Sequence, residues 1–185
     1  MKKLLISAVG LLAVCFYFSC NTASSGTSDR AKKNLDNTNA VVKMFETGDF
    51  SKTGDYIASD AVDHSGPNGE IKGVDNIKAM FNQYGGMMTN VKNEIVKELA
   101  DDDYAMIWLK QSWTAKGDDP QMGLKNGETG HMETIEVTKH NADGKVTDHW
   151  GFMSMNQMME MMKKMGNMPQ GNMGNKTDTS KMQNK

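Results

Sequence analysis

The hydrophobic period of this chain changes once, and that change limits what it can fold into. Up to Gly85-Gly86 the apolar residues recur at helical spacing, and from Val91 onward they alternate; the first pattern gives helices with one buried stripe, the second gives strands with two faces. Three helices precede the switch. Leu35, Val41, Val42, Met44 and Phe45 mark the first, which Gly48 ends, and residues 52–59 form a short second helix carrying Tyr56 and Ile57. Gly73-Val74-Asp75 opens the third, with Ile77, Met80, Phe81 and Tyr84 as its buried side and Gly85-Gly86 as its close. Between the last two, residues 61–64 read as a brief strand and Ser65-Gly66-Pro67-Asn68-Gly69 as a turn.

After the switch, residues 91–99 predict one long strand, with Val91, Asn93, Ile95, Lys97 and Leu99 on a shared side, and Asp101-Asp102-Asp103 turns the chain. Residues 104–114 come next. Tyr104, Met106 and Trp108 alternate with Ala105, Ile107, Leu109 and Trp113, so both faces are apolar and a central strand covered on two sides is expected. Residues 115–130 are polar and rich in turn formers, and the strands 131–140 and 145–152 flank Asn141-Ala142-Asp143-Gly144, a hairpin signal. Helices followed by a meander of strands define an α+β layer fold.

Ahead of this domain, Lys2 and Lys3 precede an apolar run over residues 4–18 that stops at Ser19-Cys20 and gives way to polar Asn21-Thr22-Ala23. A basic start, an apolar stretch too short to span a bilayer comfortably and a small residue before the cut make a secretory signal. Tyr17-Phe18-Ser19-Cys20 resembles a bacterial lipoprotein signal, and Cys15 inside the run is the competing site. The resemblance implies cleavage after residue 19, lipid on Cys20 and a location on the cell envelope, at the outer membrane. Residues 20–33 then read as a flexible tether, and residues 166–185 as a tail too polar to order. Both cysteines lie in the signal, so no disulfide framework is available to the exported part. With 21 basic and 23 acidic side chains the charge is balanced, which leaves no footprint for nucleic acid.

Four stretches of the domain, taken in order, resemble the SnoaL-like polyketide cyclase group of the nuclear transport factor 2-like superfamily. They are residues 39–50 (Asn39-Ala40-Val41-Val42 through Gly48-Asp49-Phe50), residues 56–64 ending in Val62-Asp63-His64, Gly73-Val74-Asp75-Asn76-Ile77-Lys78, and Asp143-Gly144-Lys145-Val146-Thr147-Asp148-His149-Trp150. The resemblance covers residues 34–152. It implies a cone-shaped, strongly curved antiparallel sheet wrapped by the three N-terminal helices, a pocket between them, and homodimers across the sheet face. Cyclase members place an acidic proton-transfer group on the last strand, and that position corresponds to Gly151, with Asp148 as a displaced substitute.

Proton transfer in such a pocket needs a base and a group to steady the developing negative charge. His64, His131 and Asp148 are the catalytic candidates, set in an expected pocket lined by Tyr56, Met106, Trp108, Glu133 and Trp150. Binding of a small apolar molecule is the first functional expectation. An isomerase or cyclase using His64 or Asp148 as base, with His131 assisting, is the second. No cofactor is called for, and the four histidines form no short-range ligand pair that would signal a metal site.

Ten of the chain's 18 methionines fall from Met153 onward. Met155, Met158, Met159, Met162 and Met165 form a stripe at helical spacing, which predicts an amphipathic helix over residues 153–165. Such a stripe suits adaptable packing over a pocket mouth or on a partner. Thioethers also favour Cu(I), so a copper-binding or protein-interaction lipoprotein is the third expectation.

Overall fold

The computed structural model describes residues 27–120 and 122–166; the expected signal, Cys20 and the expected tail beyond Gly166 lie outside the described residues. Helix α1 (Asp29–Thr47) starts where the Ser28 hydroxyl accepts the Ala31 N–H and stops at Gly48, whose φ of 69° lets its N–H return to Met44 O. Residues 29–33, expected to belong to the tether, are therefore helical. Helix α2 is only Thr53–Tyr56, and strand β1 (Ile57–Asp63) takes over the residues expected to end it. A two-residue β2 (Ile71–Lys72) precedes α3 (Val74–Met87). That helix runs through both glycines expected to end it, and the lack of a side chain at Gly85 makes room for the Phe50 ring, which a Cβ there would approach to 2.4 Å. Strands β3 (Met88–Ala100), β4 (Tyr104–Ala115), β5 (Thr129–His140) and β6 (Val146–Met153) follow, and α4 (Met155–Lys164) closes the described chain.

The α+β class stands, but the cone-shaped antiparallel sheet does not. The strands form one open sheet in the order β2-β1-β6-β5-β4-β3. It is mixed, since β1 pairs in parallel with β6 while every other pair is antiparallel. The reason is in the pairing of β1: β6 takes one side of it and the two-residue β2 takes the other, which leaves β2 and β3 at opposite edges with no strand joining them. A cone requires those edges to curl together. Irregularities between Thr89 and Lys92 and between Ile95 and Lys97 also break the single-sided alternation expected for β3.

Helix α1 packs on β3, β4 and β6, and α3 on β1 and β3, so the helices cover one face only. Ala105, Ile107, Leu109 and Trp113 of β4 are buried beneath them, whereas Trp108 on the other side keeps 39% of its surface. The double cover expected for β4 is thus single. Aromatic packing seals the helix layer: Phe45 meets Phe50 and Phe81 edge-on with ring centres 5.1 and 5.0 Å apart. Beneath α1, Thr38 and Thr138 hydroxyls lie 3.2 and 2.9 Å from His140 Nε2, and His140 Nδ1 donates to Gly144 O at 2.9 Å. That bonding suits a neutral ring, and burial holds its pKa below the usual value against the opposing pull of the Gly144 carbonyl. His140 is a structural residue of the core.

Candidate functional site

The parallel pairing of β1 with β6 sets Asp63 beside His149 on the helix-facing side of the sheet, and the β5–β6 ladder brings Glu136 next to them. Asp63 Oδ1 lies 3.1 Å from His149 Nδ1, and Glu136 Oε2 lies 2.8 Å from His149 Nε2. One imidazole is clamped between two carboxylates. Burial pushes the His149 pKa down, but the hydrogen bonds and charges of Asp63 and Glu136 outweigh it and leave the ring at about 10. Burial would likewise raise Asp63, yet the His149 hydrogen bond and charge and the Ser65 N–H hold its carboxyl below the usual range. At neutral pH His149 is therefore an imidazolium and Asp63 a carboxylate. Asp63 is sealed, while the His149 and Glu136 side chains remain 29% and 19% exposed and keep partial contact with solvent.

Gly151 completes this site. It lies directly across the ladder from Glu136, and its N–H donates to Ser65 Oγ at 2.6 Å. A Cβ built at residue 151 would stand 3.0 Å from Glu136 Oε2. The Glu136 carboxylate thus occupies the space on this face that a side chain at residue 151 would enter.

The expected catalytic residues fall elsewhere. His64 and Asp148 do meet, with Nε2 3.2 Å from Asp148 Oδ1 and Nδ1 2.9 Å from Glu70 Oε1. Its ring stacks on Trp150 at 4.8 Å between centres. The Asp148 hydrogen bond is the main cause of a raised His64 pKa, opposed by partial burial and helped by Glu70. All of this lies on the face opposite the helices, because Val62 and Asp148 pair there while Asp63 and His149 pair on the other side. His131 is not with them: it sits across from Ser112 near the other end of β5 and is exposed.

The expected pocket wall is likewise divided. Met106, Trp108, Glu133 and Trp150 lie on the helix-free face, where Trp108 Nε1 donates to Glu133 Oε1 at 2.7 Å, whereas Tyr56 packs into the core under the helices. Two surface clefts of about 430 and 390 Å³ open at the α1 start and near the α1 and α3 ends. None of the residues expected to line a pocket borders either cleft. Among the described residues, no group of three or more His, Cys, Asp and Glu side chains is arranged to hold a metal.

Asp63, Glu136 and His149 were not expected as a site. Regular counting back from the Asn141–Gly144 turn does not set Glu136 opposite Gly151, because a register shift between Lys139 and His140 moves the two strands past one another. Nothing local marks the arrival of Asp63, which comes from a strand eighty-odd residues earlier in the chain.

Three helices on one face of an open mixed sheet, with an acid–imidazole–acid cluster facing them, define an α+β domain with a candidate acid–base site. The family model for the SnoaL-like domain matches residues 39–149, and the chain belongs to that family. No curated protein matches it in sequence. Its fold is similar to that of an LEH-like epoxide hydrolase from M. tuberculosis, at 12% identity and a TM-score of 0.58, covering 74% of this chain and 89% of the other. TsrD from Streptomyces laurentii is also similar, at 12% identity and a TM-score of 0.60, with 74% and 97% covered. A SnoaL-like polyketide cyclase from Agrobacterium tumefaciens gives 14% identity and a TM-score of 0.56, with 70% and 97% covered.

Proposed function

We propose that this SnoaL-like domain binds a small, largely apolar molecule on the helix-facing side of its sheet and moves a carbon-bound proton with Glu136. The observation that carries this is the position of Glu136 Oε2, 3.0 Å from where a side chain at residue 151 would begin. An acid–base group is thereby kept on the face where the last strand would otherwise carry one. Glu136 takes the proton, the electron pair moves toward an adjacent carbonyl oxygen, and the same carboxyl returns the proton to a neighbouring carbon. His149 contributes its positive charge beside the base and fixes the carboxylate's orientation, and buried Asp63 fixes His149. Burying charged groups in this way costs stability unless each is paired, and perturbed clusters of this kind concentrate at functional sites. Two similar structures are described as an epoxide hydrolase and a polyketide cyclase, company that fits a small-molecule acid–base site. The domain works at the cell envelope, exported by the segment ending at Ser19 and held there by lipid on Cys20.

Deuterium incorporation into a panel of apolar ketones tests the chemistry. Exchange above buffer is expected, slowed about a hundredfold by Glu136→Gln, the scale of a lost general base, and unchanged by Glu94→Gln on β3. Exchange no faster than buffer across the panel would sink the proposal. Loss of exchange in Asp148→Asn with Glu136→Gln unaffected would move the chemistry to the opposite face and sink it equally.

A further inference from the structure

Helix α4 meets the domain through its Gln157 amide and at Lys164, and none of its methionines is fully buried: Met155 and Met158 are exposed, and Met159, Met161 and Met162 are half-buried. Its Ser154 cap accepts the Gln157 N–H at 3.2 Å. The Gln157 side-chain amide then donates to Glu133 O at 2.8 Å and accepts from Glu133 N at 2.9 Å, extending the ladder one step past the end of β6. At the far end Lys164 lies against Gly123, where an added Cβ would come within 2.7 Å of the lysine Cβ. Met155, Met158, Met159, Met161 and Met162 lie between these attachments, and no α4 residue is buried. Met155 is 66% exposed and Met158 41%.

Apolar side chains left open to solvent, as Met155 and Met158 are, contribute little stability there. If surface helicity were the only requirement, charged or polar helix formers would serve as well without the exposed apolar area. What methionine adds is a soft, polarisable sulfur on three rotatable bonds. Met155, Met158, Met159 and Met162 stand at i, i+3, i+4 and i+7, so their side chains project from one face at neighbouring positions. Flexible thioethers so placed can turn toward a common point. Both cysteines of the chain precede the domain, which makes thioether the available soft donor in the folded part.

From this placement we infer that α4 is a Cu(I) site built from the thioethers of Met155, Met158, Met159 and Met162. Cu(I) is the biologically common ion that favours such donors, and a neutral thioether set needs no deprotonation to bind it. Binding involves no change of oxidation state. The inference is independent of the acid–base site, since it uses no residue of that cluster.

Anaerobic titration of the full chain with Cu(I) against a bicinchoninate competitor tests it, with Cys15→Ser and Cys20→Ser present so that no thiol competes. One equivalent should bind, shifting the methyl resonances of those four methionines. Replacing all four by Leu should weaken binding about tenfold or more. Should that variant lose its fold, the single Met155→Leu and Met158→Leu changes at the two exposed positions are each expected to weaken binding about threefold. Replacing Met168, Met173 and Met182 by Leu should leave affinity unchanged. Absence of competition with bicinchoninate overturns the inference. So does full affinity in the α4 variants, or loss of binding in the Met168, Met173 and Met182 variant alone.

Discussion

Among the described residues, His149 has the pKa shifted furthest from that of a free side chain. Its pKa rises from an ordinary 6.5 to about 10 in the folded chain, so the folded state holds this proton more tightly than the unfolded state does. The resulting stability is fully present below about pH 6.5 and is lost as pH rises toward 10. Asp63 acts at the other end: its lowered pKa contributes stability above the ordinary carboxylate range, lost as acid protonates it. The denaturant midpoint should therefore fall between pH 7 and pH 10, and His149→Gln should flatten that part of the profile. Parallel slopes for the two proteins would refute the assignment. Proton NMR gives a direct check, since the His149 ring signals should not titrate near pH 6.5.

Among the elements, α3 depends on a few aromatic contacts. Phe81 is buried, edge-on to Phe45 at 5.0 Å and tilted against Phe50 at 5.7 Å. It joins α1, α3 and the segment between α1 and α2 in one cluster with Ile57 and Ile77. Phe81→Ala should cost about 3 to 5 kcal/mol, the usual result of deleting a buried aromatic and leaving a cavity. Chemical denaturation would measure it, and a loss below about 1 kcal/mol would show that the cluster collapses around the gap. Caps and breakers in this layer were legible in the sequence, Gly48 most clearly. The continuation of α3 through Gly85-Gly86 was not, since glycine propensity argues against it, while the packing that makes a glycine fit at residue 85, the approach of the Phe50 ring, comes from a distant segment.

For the whole molecule, the proposed envelope anchor predicts a chain that begins at Cys20 and carries acyl chains. Intact-mass measurement of protein from the membrane fraction should give the mass from Cys20 onward plus lipid. An unmodified Cys20 thiol, or a chain that still includes residues 1–19, would refute it. Such an anchor would leave the Asp63–His149–Glu136 cluster free to meet small molecules outside the cytoplasm. The helix-free face adds a second broad surface, where Trp108, Ile135 and Phe152 are all exposed.

The sequence by itself determined the local order of this protein: helices before the period switch, strands after it, the turn at Asp143-Gly144 and the methionine helix. Those features depend on residues a few positions apart, and alternation along β4 to β6 also sorted most side chains into two faces, failing at Val146, which a register shift beside His140 turns into the helix-side core while Asp148 faces away. Met106, Trp108, His131, Glu133, Asp148 and Trp150 do share a face. Only the tertiary structure decided which face the helices would cover, because a period of two distinguishes the faces without saying what packs on either. It also decided that β1 would lie parallel to β6 and leave the sheet open. That long-range pairing brings Asp63 to His149 and so builds the candidate site from three strands, none of whose local sequences specifies the others.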